Sequence, residues 1–292
     1  MNIQYDHLLN ASLLLWIRNS IEGKGQGFSN FSGWFYDTQE VFGGRFSYSL
    51  PFQPLVADSS INNAILMTGV YLDQTFITTG VSGLTGINYE KGEVYFISGI
   101  TYASNPAHTR ISGSFAVSDF SYKLTNEPEE NLLFETKYDI KPKTNQTVTG
   151  LGPSETTFPV IFLKPNYSSN KEFALGGTED VMNSFRLIVL ADSQYALDGV
   201  SCLIREKARS IIPLLTGVSE MPFDAFGGFS GPTFNYNTTF TGKFSTSNSA
   251  YLSDVRVTRL AGQGVQVLKT INPKVFAGLI DLDVSTYRRI RT

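Results

Sequence analysis

At 292 residues and 41% apolar side chains, the chain is long enough for a large core and too apolar to be disordered throughout. Charged residues make up 17% of it, below the roughly 25% of ordinary soluble domains, and 23 basic against 26 acidic residues leave a net charge of −3. That balance excludes the basic stripe of a general nucleic-acid binder, and the single cysteine, Cys202, excludes an intramolecular disulfide.

The first expected element is a helix capped by Asp6, with Leu9, Leu13, Trp16 and Ile17 at helical spacing and Leu14 and Leu15 widening its apolar face. Its run Leu13–Ile17 is too short for a membrane span and has neither the basic front nor the cleavage site of a signal peptide. Gly23, Gly25 and Gly27 end the helix. Residues 28–50, with Phe31, Trp34, Phe35, Tyr36, Phe42, Phe46 and Tyr48, read as an extended hairpin-like excursion whose aromatics build a β-core.

Residues 69–97 read as a hairpin. Gly69–Asp73 leads out and Glu93–Ile97 returns, with Asn88 to Gly92 supplying the reversal and Val94 and Phe96 facing inward opposite a wet Glu93 and Tyr95. In the run Ile111–Leu124, Phe115, Val117 and Asp119 alternate with Ala116, Ser118 and Phe120, and the irregularity at Asp119 predicts a bulge or a switch of face. Glu127, Glu129 and Glu130 fall in a polar turn with Pro128, and residues 139–156 read as a loop.

The second half begins with strands at Phe158–Leu163 and, after a loop, Ser184–Leu190. A helix follows from about Gln194 to Leu215. Its apolar face takes Ala196, Leu197, Val200, Leu203, Ile204 and Ala208, with Cys202 at the buried boundary; Arg205, Lys207 and Arg209 lie on the wet face. Met221–Gly231 reads as an aromatic-anchored loop. Late strands cover about 250–260, 263–269 and 275–288, the last able to rejoin its own sheet or a neighbour's edge. The fold class is therefore α+β and β-rich: an N-terminal helix (1–27), antiparallel sandwich or hairpin modules (28–138), a linker (139–157), and a sheet packed by one long helix (158–292).

No phosphate-binding, dinucleotide-binding or nucleophile-elbow motif occurs, and one cysteine with two distant histidines, His7 and His108, does not make a metal site. Asp281 and Asp283 share one face of a strand, the pattern of a carboxylate pair, but it is also the pattern of a wet β-face. The reading is no enzyme, no cofactor, no metal and no catalytic residue. Candidate interface residues are Trp16, Trp34, Tyr36, Phe226 and Phe229, with the basic Arg288, Arg289 and Arg291.

The return Ile87-Asn-Tyr-Glu-Lys-Gly-Glu-Val-Tyr-Phe96 resembles β-modules that recur in virion proteins of tailed bacteriophages. The order strand, strand, helix, late strands resembles tail-terminator and head–tail connector proteins. The opening Tyr5–Trp16 and the run from Phe173 to Gly199 are similar to structural proteins of contractile-tailed marine phages. The aromatic N-terminal region 1–60 departs from the compact terminator fold. The resemblance implies a virion subunit made in the host cytoplasm, working in a symmetric neck or tail ring. Its partners would be its own copies and other neck or tail proteins, with no membrane and no specific nucleic acid, though DNA passes through the lumen of such a ring. A baseplate or fibre-attachment component, or a carbohydrate-binding β-sandwich, is the competing reading.

Overall fold

The computed structural model describes residues 5–24, 27–100, 110–133, 139–142, 155–174, 178–222, 234–244, 249–259 and 275–289. Helix α1 (Tyr5–Asn19) runs into one π turn, Ser20–Lys24. Asp6 lies within its first turn instead of capping it. Leu9, Leu13, Trp16 and Ile17 are buried as their spacing predicts, and so are Leu8, Ala11 and Leu15. Burial on so many sides puts α1 inside the protein. Trp16, at 6% exposure, is a core residue and not the expected interface residue.

Strands β1 (Phe28–Trp34), β2 (Tyr36–Phe42) and β3 (Arg45–Ser49) occupy the aromatic stretch. Only β2 and β3 form a hairpin, over Gly43-Gly44, while β1 belongs to a different sheet. The segment 69–97 likewise divides, contrary to the single hairpin expected. β4 (Gly69–Leu72) and β5 (Thr75–Thr78) make one hairpin, β6 (Leu84–Asn88) and β7 (Glu93–Phe96) another. The cause is a two-residue turn at Asp73-Gln74, whose φ angles of 48° and 71° match the twist of a tight hairpin. The turn before β7 forms as read: Asn88 Oδ1 accepts from the amides of Glu90 and Lys91, and Gly92 takes φ 62°. Val94 and Phe96 face inward, but Glu93 is not wet; it is 3% exposed and accepts from the Tyr95 hydroxyl at 2.7 Å.

β8 (Ile111–Ser118) completes a four-stranded sheet of order β1-β8-β4-β5, and β2-β3-β7-β6 forms a second. The irregularity at Asp119 is a change of sheet: the chain leaves the first sheet at Ser118 and enters a six-stranded one as β9 (Ser121–Leu124). Glu129 then opens a short helix, α2 (Glu129–Leu133), where a polar turn was expected; buried Leu132 anchors it.

β10 (Asp139–Pro142) and β11 (Glu155–Phe158) pair in parallel at the ends of the expected linker. β12 (Val160–Ala174) and β13 (Thr178–Ala191) are much longer than read, absorbing the expected loop into a ribbon with a bulge after Pro165. Helix α3 (Gln194–Glu206) is capped by the Ser193 side chain and stops nine residues before the expected Leu215. Arg209 turns the chain at φ 64°, and the β-branched pair Ile211-Ile212 enters β14 (Ile211–Pro213) instead. The burial of Leu197, Val200 and Ile204 sets the helix face; Leu203 is only half-buried, Ala208 is exposed, and Cys202 is exposed rather than at a buried boundary. The short α4 (Tyr236–Thr239), then β15 (Ser249–Arg259) and β16 (Phe276–Arg289), close the order β14-β15-β16-β13-β12-β9. The expected strand 263–269 lies outside the described residues.

One buried cluster joins α1, both four-stranded sheets, the inner face of the six-stranded sheet and α3. The helix sits close: a Cβ on Gly278 of β16 would meet Leu197 Cδ1 at 2.8 Å, so a larger residue there would force the Leu197 side chain to shift. α3 packs on the sheet carrying β12 and β13, as its apolar stripe requires.

Candidate functional site

The carboxylates with catalytic spacing are consumed by structure. Asp281 takes Arg186 in a two-pronged pair at 2.5 and 3.1 Å, and Arg186 also reaches Glu129 at 2.6 Å. The Asp281 hydrogen bond holds the Arg186 pKa above the ordinary arginine value against the opposing effect of burial, and Glu129 adds to it. Asp283 accepts from Arg256 at 2.7 Å. The expected wet face is not found: the Asp281 and Asp283 side chains are only 18% and 15% exposed, and Leu279 on the same face is buried in a cluster with Leu132 of α2. Glu127 accepts from Asn131. Among the described residues no group of three or more His, Cys, Asp and Glu side chains is placed to hold a metal. His7 is exposed, and His108 lies outside the described residues.

A buried charge cluster, missed in the sequence, ties α1 to the sheets. Arg18 and Glu22, 5% and 0% exposed, pair at 3.0 Å across the junction of α1 and the π turn. Arg18 also bonds Glu90 at 3.1 Å and the Leu55 carbonyl at 3.0 Å, and its guanidinium lies 5.4 Å from the Tyr122 ring centroid. Ser118 donates to Glu22 Oε1 at 2.7 Å, while Glu22 Oε2 has no hydrogen-bond partner among the described residues. Burial lifts the Glu22 carboxyl above its ordinary pKa, and Arg18 and Ser118 only partly offset it. This cluster is enclosed, so its work is to fix α1 and not to meet a ligand. The i, i+4 spacing of Arg18 and Glu22 was its one sequence signal.

A second charge feature lies where the π turn meets α3. Burial, and then the adjoining Lys24 ammonium, push Lys207 down to about 8.

The surface features of note are two. The first is aromatic. Direct pairing puts Trp34, Ser112, Tyr71 and Phe76 in one row across β1, β8, β4 and β5. Paired residues share a face, and the core takes the other face through Val70, Ile77, Ile111 and Phe115. The row faces solvent: Trp34 is 45% exposed, Tyr71 42% and Phe76 47%. Of the expected interface aromatics Trp34 is thus on the surface, Tyr36 is half-buried, and Phe226 and Phe229 lie outside the described residues.

The second feature is backbone. β9 covers β12 only from Val160 to Leu163, and among the described residues no strand pairs with β12 on that side from Lys164 to Ala174. At the opposite side of the same sheet, β14 covers β15 only from Ser249 to Tyr251, leaving Ser253 to Arg259 unpaired by strand among the described residues. β16 lies between β15 and β13, so it closes its own sheet and offers no edge. Arg288 and Arg289 end β16 opposite Glu179 and Thr178, and Arg291 lies outside the described residues.

No family model matches the chain, and no curated protein matches it.

Proposed function

We propose that this chain is a non-catalytic structural subunit that closes into a ring by pairing sheet edges between copies. The observation that carries the reading is a pair of long edges, β12 past Leu163 and β15 past Leu252, that no strand covers among the described residues, at opposite sides of one six-stranded sheet. An unpaired edge is a row of backbone donors and acceptors that templates another strand. Because the two edges differ, the contact between copies is head-to-tail, and a head-to-tail contact that closes gives a ring. Pro165 and Lys171 on β12 make the edge selective, since both discourage indiscriminate strand addition.

The phage-protein resemblance gives this ring its station: a tailed-phage virion, at the neck or tail end, beside other neck or tail proteins and around a lumen that DNA can traverse. Low overall charge fits a surface covered by neighbours. Mass photometry of the purified chain at rising concentration tests the reading. One discrete assembly is expected, reduced to monomer when Tyr167→Lys and Asn170→Lys add charge to the β12 edge. A wild-type chain that stays monomeric even with neck and tail proteins present would refute it.

A further inference from the structure

The solvent face of the β1-β8-β4-β5 sheet holds a trough that the edge-pairing model does not use. Trp34 and Tyr71 form its walls and Ser32, Ser112 and Ser114 its floor, around a cavity of about 290 Å³. The walls stand on β1 and β4 with β8 between, so two strand spacings separate them, about 10 Å. Phe76 backs Tyr71, with ring centroids 5.2 Å apart, which fixes the inner wall. On the floor the Ser32 and Ser114 hydroxyls bond each other at 2.8 Å.

The core is filled from the other face by Val70, Ile77 and Phe115, while the Trp34, Tyr71 and Phe76 rings remain 42–47% exposed. Among the described residues the lining contains no Lys, Arg, Asp or Glu. The charges at the same end of the sheet, Arg110 and Asp73, neutralise each other. The occupant is therefore uncharged. It needs an apolar face for each ring wall and a polar edge for the serines. A pyranose ring has both: its C–H faces pack on aromatic rings at about 3.5–4 Å, and its hydroxyls donate and accept along the edge. A nucleobase also stacks, but it brings phosphates that call for basic side chains, and the described residues of the trough include none.

We infer that the Trp34–Tyr71 trough is a binding site for a neutral oligosaccharide, one sugar ring held between the two aromatic walls and its hydroxyls over Ser112 and Ser114. The site is separate from the β12 and β15 edges, so ring assembly and sugar binding fail independently.

The test uses the full chain and hexasaccharides of β-linked glucose, N-acetylglucosamine and mannose, with a sulfated oligosaccharide as the anionic arm. Saturation-transfer NMR identifies the bound ring and calorimetry gives the affinity. Expected is binding of at least one neutral hexasaccharide, weakened about tenfold or more by Trp34→Ala and by Tyr71→Ala. Tyr195→Ala, which removes an 89% exposed ring elsewhere, leaves it unchanged. Thermal melts certify that each variant is folded. Three binding outcomes overturn the inference: no neutral hexasaccharide binds, the sulfated one binds more tightly than any neutral one, or binding survives in the Trp34→Ala, Tyr71→Ala double variant. A folded Trp34→Ala that loses self-association also overturns it, because the trough would then be a contact between copies.

Discussion

The outer faces of the β1-β8-β4-β5 sheet and of the six-stranded sheet differ although both sheets bury their inner faces in the same core. On the six-stranded sheet the charges are satisfied within the chain: Arg186 links Asp281 and Glu129, and Arg256 meets Asp283. On the other sheet the outer face shows Trp34, Tyr71 and Phe76 among serines. Alternation decides which residues point in, but it does not decide what the outward set is for. A face whose charges neutralise each other needs nothing from outside, whereas exposed aromatics over a hydroxyl floor are a surface that binding would improve.

The largest expected effect breaks the core that both faces share. Arg18→Ala leaves Glu22 buried without its counter-charge and should cost about 3–5 kcal/mol in urea unfolding. Arg18→Met with Glu22→Leu should recover most of that loss, since an apolar pair of similar size removes both desolvation penalties. If the single variant is silent, the cluster does not anchor α1. Next, Ile204→Ala should cost about 2–5 kcal/mol through its cavity, and clearly more than Leu203→Ala, because Ile204 is fully buried and Leu203 is not.

The faces themselves should then separate. Arg186→Ala removes one cation from two carboxylates at a half-exposed site and should cost about 1 kcal/mol, screened by salt. Trp34→Ala and Tyr71→Ala should change stability by only about 0.5 kcal/mol in either direction. Equal losses at Arg186 and Trp34 would erase the distinction between a satisfied and an open face.

The remaining expected effects are in pH. Burial opposes ionisation of Glu220, but the Lys243 ammonium at 2.6 Å and donors from Thr216 hold its pKa at about 2. A depressed carboxyl contributes stability that is present above the ordinary carboxylate pKa and is lost as pH falls toward about 2; Lys243→Ala should reduce that acid-limb dependence, leaving the part due to Thr216. Lys207 has the opposite sense. Its pKa is lowered from 10.5 to about 8, so the folded state sheds a proton that the unfolded chain keeps, and stability should rise as pH climbs from about 8 to 10.5. Lys24→Ala should flatten that rise, read from melts across the interval.

Much of the fold is legible where alternation is clean. Val94 and Phe96 point inward, Ile280, Leu282 and Val284 line one face of β16, and the broken pattern at Asp119 marks a change of sheet. The end of α3 is not legible, because Ile211, Ile212 and Pro213 continue an apolar pattern that only pairing with Tyr251, Ala250 and Ser249 resolves as strand. The outward position of Cys202 follows from helical phase, since Leu197, Val200 and Ile204 already define the buried stripe. Trp34 was legible as a candidate, while Trp16 was misplaced because a helix buried on many sides gives the same pattern as one buried under a neighbour. Tyr71 and Phe76 were missed for another reason. In Gly69–Leu72 and Thr75–Thr78 both faces carry apolar or aromatic residues, and only the packing of Val70 and Ile77 shows which face is outside. The edges of β12 and β15 that no strand covers among the described residues leave no local signal at all, because an edge is defined by which strand is not beside it.

The central claim, a head-to-tail ring made by two different edges, is tested most directly by mixing two edge variants. One carries Tyr167→Lys and Asn170→Lys on β12, the other Asp254→Lys and Thr258→Lys on β15. Each alone should be monomeric by mass photometry. Mixed in equal amounts they should form a dimer and nothing larger, because one intact β15 edge meets one intact β12 edge and the remaining two are blocked. Monomers only in the mixture, or rings formed by either variant alone, would contradict the account.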